Sequence, residues 1–350
     1  AFVGSVGITL NNLSIRNFFK KGAWKPYPMG QNQRLSISGQ TNGTYYKALS
    51  LSFTDPWLGG RRPNSFTISG YISEQNNAYY VWQNATMYYR SMGLAIGLGK
   101  RLQWPDPYFT FYGELGYQHY GLKGWNSFIM SNGKSNTLSL KLVLQRSSVD
   151  SPFFSRSGSE FTLSVQATPP FSLWDGKDYA ALKAANTPEA QQEMYRWIEF
   201  HKWLLKTRWY FPLTQDQNLV LMLGAEMGYL GNYNKNKVSP FERFEIGGDG
   251  MTGYNIYGVD IIAMRGYEDG ALDPSKYYSV AYNKYTMELR YPVIMKPQSS
   301  IYVLGFLEGG NGFNSWKEFS PFKIKRSAGV GVRLYLPIVG VIGIDWGYGF

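Results

Sequence analysis

Side chains able to do covalent chemistry are few in this 350-residue chain: it has two histidines, His119 and His201, and no cysteine. Serine nucleophiles need a base within hydrogen-bond reach, and neither histidine has a serine and an acid at a spacing that recurs in hydrolases. Each histidine lies in a run that alternates as a strand does, so each reads as an ordinary lumen or interface residue. Two histidines without cysteine cannot build a familiar zinc site. Gly93 to Lys100 has the outline of a phosphate loop. It fails that test because the glycine spacing is one residue too long, Arg101 stands where a hydroxyl is required, and no helix follows. Asp249, Asp260, Glu268, Asp269 and Asp273 lack calcium-loop spacing and read as solvated loop acids. No enzyme, metal or cofactor is expected.

What would position any functional side chain here is a set of strands. Two-residue alternation dominates. Leu138, Leu140, Leu142 and Leu144 share one face, as do Tyr285, Met287, Leu289 and Tyr291, with Thr286, Glu288 and Arg290 on the other. Ile342, Ile344, Trp346 and Tyr348 oppose Gly343, Asp345, Gly347 and Gly349. The alternation outlasts the roughly 5 residues of a sandwich strand and reaches the roughly 9–11 that a tilted strand needs to cross a bilayer. Strands are expected at about 3–10, 13–19, 33–42, 44–54, 65–74, 85–99, 108–120, 136–147, 159–168, 197–211, 217–230, 278–291, 299–310, 325–336 and 339–350. That count of fifteen is odd, which in a simple meander would leave the first and last strands parallel.

Composition agrees with a membrane barrel. The chain is 17% charged and 17% aromatic, with 28 Tyr and 11 Trp, which excludes disorder and suits interfacial aromatic girdles. No apolar run approaches the roughly 18 residues of a spanning helix. The net charge of +11 comes from scattered Lys and Arg with no basic arm, so no nucleic-acid partner is expected. Proline turns recur at Asp55-Pro56, Trp104-Pro105, Ser151-Pro152, Phe211-Pro212, Tyr291-Pro292 and Leu336-Pro337. Proline cannot donate to a ladder, so these turns should end strands on one rim. The longest loops, about 169–196 and 231–277, then belong to the other rim, in the manner of outer-membrane barrels. Thr187-Pro188-Glu189 opens one short surface helix over Ala190 to Trp197. The fold expected is all-β, a single transmembrane antiparallel barrel over 1–350. Ala1 to Leu10 lacks the basic start of a signal peptide, so the chain reads as a piece of something longer.

More specific patterns begin at Phe241. The chain reads Phe241-Glu242-Arg243-Phe244-Glu245-Ile246-Gly247-Gly248, then Met264-Arg265-Gly266-Tyr267, Met287-Glu288-Leu289-Arg290-Tyr291-Pro292 and Phe306-Leu307-Glu308-Gly309-Gly310. Ser327 to Arg333 and Ile344-Asp345-Trp346 follow, and Ser52-Phe53-Thr54-Asp55-Pro56-Trp57 stands near the start. This order resembles the barrel domain of the BamA family, the insertases of outer-membrane β-barrel assembly. That family carries a Gly-Gly turn, a Val-Arg-Gly-Phe tetrad in its sixth extracellular loop, and acids on the next two strands. Here the tetrad has Met264 and Tyr267 at its ends, Glu308 stands where Asp is more usual, and the family's sixteenth strand is not found after Phe350.

The resemblance implies a barrel of the 16-strand type in the outer membrane of a Gram-negative-type bacterium, without the family's soluble periplasmic domains. It places Arg265 in the lumen between Glu288 and Glu308, where a fork-shaped guanidinium suits two carboxylates. Gly266 would let the backbone turn, and Tyr267 would pack beside the arginine. The first strand, with Val3, Gly4, Ser5, Val6, Gly7 and Ile8, would form a lateral gate with the last, since glycines weaken a strand. Implied partners are nascent outer-membrane barrel proteins, accessory assembly lipoproteins, membrane lipid and lipopolysaccharide. Rival readings are a related polypeptide-exporting barrel of the two-partner secretion type and a passive diffusion channel.

Overall fold

A computed structural model describes residues 3–60, 63–78, 84–250, 258–296, 298–337 and 340–350. In chain order the strands are β1 (Val3–Leu13), β2 (Gln33–Asn42), β3 (Tyr46–Asp55), β4 (Asn64–Asn76), β5 (Tyr88–Arg101), β6 (Phe109–Lys123), β7 (Gly133–Ser147) and β8 (Gly158–Ala167). Two helices follow, α1 (Tyr179–Ala185) and α2 (Pro188–Met194). Then come β9 (His201–Pro212), β10 (Val220–Gly231), β11 (Arg243–Ile246), β12 (Val259–Ile262), β13 (Ala281–Lys296), β14 (Ser299–Phe313), β15 (Lys325–Leu336) and β16 (Gly340–Gly349). Fourteen strands make one meander, β1 to β10 followed by β13 to β16, and β11 and β12 form a separate pair. Every ladder in the meander is antiparallel, whereas β11 and β12 run parallel. The chain is an all-β transmembrane barrel.

Alternation builds the wall. On β5, Met92, Leu94, Ile96 and Leu98 point outward and are exposed, as a lipid-facing band requires. Their inward neighbours include Gly93 and Gly97, where a Cβ would strike the rings of Tyr71 and Tyr112. The glycines of Gly93 to Lys100 thus make room for tyrosines inside the wall. Contacts across the lumen show how far the sheet curls. Phe153, in the turn after β7, packs at 5.2 Å from Tyr302 on β14 and 5.3 Å from Tyr335 on β15. Phe241, before β11, stacks on Tyr120 of β6 at 4.2 Å.

Among the described residues, two apolar clusters pack inside the sheet. One joins Tyr89 and Tyr120 to the long-loop residues Tyr195, Phe200, Phe241, Phe244 and Met264. The other, toward the rim of short turns, joins Phe154 to Tyr210, Val220, Met222, Tyr302 and Phe306.

Several expectations are corrected. Residues 13–19 are not a strand: Asn12 takes a left-handed φ of 62°, the β1–β2 register breaks between Leu10 and Leu13, and Ile15–Asn17 forms a short 3-10 turn. The ladder cannot resume because the Ser14 and Ile15 N–H groups donate to Pro28 O and Gln33 Oε1 instead. Among the described residues the meander therefore has fourteen strands, an even number, and β1 and β16 run antiparallel in sense. Pro292 does not end a strand; it lies inside β13, beside a register shift at Pro292/Ile294 that accommodates its missing donor. The second long loop contains β11 and β12, too short for alternation to reveal. The first contains two helices: α2 opens on Thr187 as expected, and α1 opens on Asp178, which accepts from Ala180 N and Ala181 N. Neither is a bare surface helix, since Tyr179, Ala190 and Met194 are buried.

Candidate functional site in the barrel lumen

The parallel pairing of β11 with β12 brings two distant motifs together. Gly247 N donates to Ile262 O at 3.1 Å, Gly248 N to Tyr267 O at 3.0 Å, and Met264 N to Gly248 O at 2.9 Å. The Gly-Gly turn and the Met264–Tyr267 tetrad are thus one hydrogen-bonded unit. Gly247 and Gly248 both take positive φ. Met264 is fully buried in the upper cluster and anchors the unit.

From this platform Arg265 reaches two strands. Its Nη2 lies 2.6 Å from Glu288 Oε1 on β13 and 2.6 Å from Glu308 Oε1 on β14. Its Nε donates to Glu308 Oε1 and its backbone N–H to Glu308 Oε2, both at 2.9 Å. The β13–β14 register opposes Thr286 to Glu308, which sets Glu288 and Glu308 on one diagonal of the inner face, the separation a guanidinium can bridge. Only 11% of the Arg265 side chain and 2% of that of Glu308 are exposed. Burial works against the Arg265 charge, yet Glu308 and Glu288 outweigh it and hold its pKa above the ordinary value. The Arg265 Cζ lies over the Phe306 ring, 3.8 Å from its centroid.

Neighbouring charges complete the network. Arg290 binds Glu288 at 2.6 Å, Lys284 approaches Glu308 at 3.5 Å, and Asp345 on β16 is 3.7 Å from Arg265 while paired with Arg333 at 2.7 Å. Gly266, at φ +89°, passes so close to β16 that a Cβ would sit 2.9 Å from the Tyr348 backbone. The Tyr267 hydroxyl lies 2.8 Å from Arg326 O on β15 and 3.2 Å from Phe350 O. The tetrad therefore touches β13, β14, β15 and the sheet's end at β16.

A second contact holds the same loop to β9, two strands from β13 in the sheet. Lys202 on β9 pairs with Glu242 at 3.1 Å and Asp260 at 2.9 Å, and the Tyr120 hydroxyl on β6 is 3.3 Å from Glu242. Asp260, although 41% exposed, is thus ion-paired, which the reading as a solvated loop acid did not include. Asp273 is partnered too: its Oδ1 accepts from Ser279 Oγ at 2.5 Å and Ile246 N at 3.2 Å. Burial, chiefly, with Glu245 nearby, pushes the Asp273 carboxyl up to about 7 against the lowering effect of those hydrogen bonds. Sequence reasoning passed over Lys202 and Glu242, though Glu242 sits inside the run from Phe241. Asp345 was legible as an inward position from its phase against Ile344 and Trp346. Val3–Ile8 lie on β1 and pair with Ile37–Asn42 of β2. Among the described residues, β1 and β16 each have a strand partner on one side only. His119 binds Asn136 through Nδ1, and His201 Nδ1 faces the Trp203 indole N–H, so neither joins the network.

A meander barrel with a loop pinned inside it by an Arg-Gly pair has a counterpart among known families. The Omp85 superfamily domain matches residues 29–350. The chain belongs to the Omp85 superfamily. It is an outer-membrane β-barrel of the Gram-negative type. Over 69 residues it is 41% identical to the outer membrane protein assembly factor BamA of Neisseria meningitidis serogroup B, covering 20% of this chain and 7% of that protein. In fold it is similar to Haemophilus ducreyi BamA lacking POTRA domains 1-3, with a TM-score of 0.67 at 18% identity, covering 99% of this chain and 63% of that one. CdiB from Escherichia coli is also similar, with a TM-score of 0.55 at 13% identity over 99% of this chain and 55% of that one. This Omp85 chain spans less than two thirds of each of these longer proteins.

Proposed function

We propose that this barrel is the insertase of outer-membrane protein assembly, acting on nascent outer-membrane barrel proteins together with accessory assembly lipoproteins. The observation that carries the reading is the Arg265 latch, which joins the long loop to β13 and β14 and, through Asp345, Gly266 and Tyr267, to the sheet's end at β16. In this reading the lateral gate lies in the gap between the edges of β1 and β16. An unpaired edge is a template for a further strand, and an incoming substrate would pair with it and leave sideways into lipid. Gly4, Ser5 and Gly7 weaken the β1 side of that gap. No bond is made or broken, so no catalytic residue, metal or cofactor is required. Lipopolysaccharide would meet the rim of long loops.

The name of the Neisseria relative supports assembly over export, while the likeness to CdiB keeps a two-partner secretion barrel as the second reading. A passive diffusion channel is disfavoured by the two apolar clusters in the lumen. Depletion in cells is the deciding experiment. An insertase lowers the level of many unrelated outer-membrane barrels, whereas an exporter blocks secretion of a single partner and leaves the other barrels unchanged.

A further inference from the structure

The loop between β1 and β2, residues 14–32, lies on the rim of short turns, which faces the periplasm in an outer-membrane barrel. It is ordered by its own hydrogen bonds. The Trp24 indole N–H donates to Phe18 O at 3.0 Å, and the Tyr27 hydroxyl to Asn11 O at 2.8 Å. That order holds apolar groups in the open. Phe19 is 91% exposed, and Phe18 and Trp24 are exposed beside it, with their ring centroids 5.3 and 4.9 Å from one another through Phe18. Arg16, Lys20, Lys21 and Lys25 are exposed on the same loop, which contains no Asp or Glu. Among the described residues, none of the four meets a carboxylate.

On the same rim, Trp57 and Trp104 stand exposed in the turns after β3 and β5, at the level where aromatic girdles meet lipid headgroups. Rings at that depth bury their apolar bodies at the headgroup–acyl boundary, and cations beside them are drawn to anionic lipid. We propose that loop 14–32 is a docking surface for anionic phospholipid of the inner leaflet, with Phe18, Phe19 and Trp24 at the boundary and the four cations on the phosphates. The loop would tether the β1 end of the sheet to that leaflet. This inference rests on the barrel's place in the outer membrane and is independent of the insertase reading.

Because the chain has no cysteine, Phe19→Cys carries an environment-sensitive fluorophore at one position, and Leu115→Cys, on the outward face of β6, carries it at another. The full chain is reconstituted into phosphatidylcholine vesicles and into vesicles with about one quarter phosphatidylglycerol. A deep nitroxide lipid quenches the Leu115 probe in both, which reports an inserted barrel. The Phe19 probe is expected to be blue-shifted and quenched by a shallow nitroxide lipid. That quenching should fall roughly two- to threefold without phosphatidylglycerol, and equally with Lys20→Glu/Lys21→Glu in its presence. With the Leu115 probe quenched, a Phe19 probe open to aqueous iodide in both vesicles overturns the proposal. Lipid quenching of equal strength in both vesicles overturns the recognition of anionic lipid.

Discussion

The Arg265 Cζ lies over the Phe306 ring, 3.8 Å from its centroid, while its nitrogens meet Glu288 and Glu308. The cation thus meets an aromatic face and two carboxylates together, a combination that suits a guanidinium better than an ammonium. Arg265→Lys keeps the charge but loses the fork. It is expected to cost about 1–3 kcal/mol of loop anchoring, and Arg265→Ala about 3–5 kcal/mol, because two buried carboxylates then lose their shared partner. Thermal unfolding and protease cleavage within 232–280 would register both, with the alanine variant the more sensitive.

Phe306→Leu separates the ring from the ion pairs. The carboxylates stay paired, so the expected loss is about 1–2 kcal/mol from the cation–π contact together with reduced packing. A loss as large as that of Arg265→Ala would show that the ring, not the acids, holds the arginine.

Gly266→Ala tests the approach to β16. Its φ of +89° and the 2.9 Å clash with the Tyr348 backbone oppose any Cβ. Hydrogen exchange over Gly340–Gly349 should quicken, while exchange over β3, which gives no residue to the cluster that holds Met264, stays unchanged.

The anchor on β9 gives a coupled prediction. Lys202→Met leaves the largely buried Glu242 without its cation, and an expected loss of about 3 kcal/mol follows, chiefly from Glu242 because Asp260 is 41% exposed. Adding Glu242→Gln and Asp260→Asn to that variant should recover part of the loss, so the three substitutions will not add. Thermal unfolding of the single and triple variants measures the recovery.

Asp273 makes the loop pH-dependent. Its folded pKa of about 7 lies above the ordinary value of 3.8, so the folded chain holds a proton that the unfolded chain has released between those values. Stability from this group is therefore present below the ordinary value and declines as pH rises to about 7. Protease resistance of the arm 267–280, measured with a pH-insensitive readout of cleavage, should fall across that window, and Asp273→Asn should flatten the profile.

Legibility in the sequence followed the range of the interactions involved. The leucine face of β7 carries its own signal, because a wall with lipid outside and a polar lumen inside imposes a period of two on each strand. The proline turns marked one rim for the same local reason. Residues 13–19 mimicked that period by chance, and the departure came from a left-handed Asn12 and a loop that satisfies its own backbone.

The sequence by itself determined the barrel, its two unlike rims and the inward phase of Glu288, Glu308 and Asp345, since phase along a strand is a property of neighbouring residues. Resemblance to a family supplied the pairing of Arg265 with the two acids. Only the tertiary structure decided that Gly248 and Tyr267 share a hydrogen bond, that Phe306 lies beside the guanidinium, and that Lys202 on β9 holds Glu242 and Asp260. Those contacts join residues from about 19 to 58 positions apart, and they exist because the curled sheet and the folded-in loop bring them within a few ångströms, a closeness that no spacing along the chain encodes.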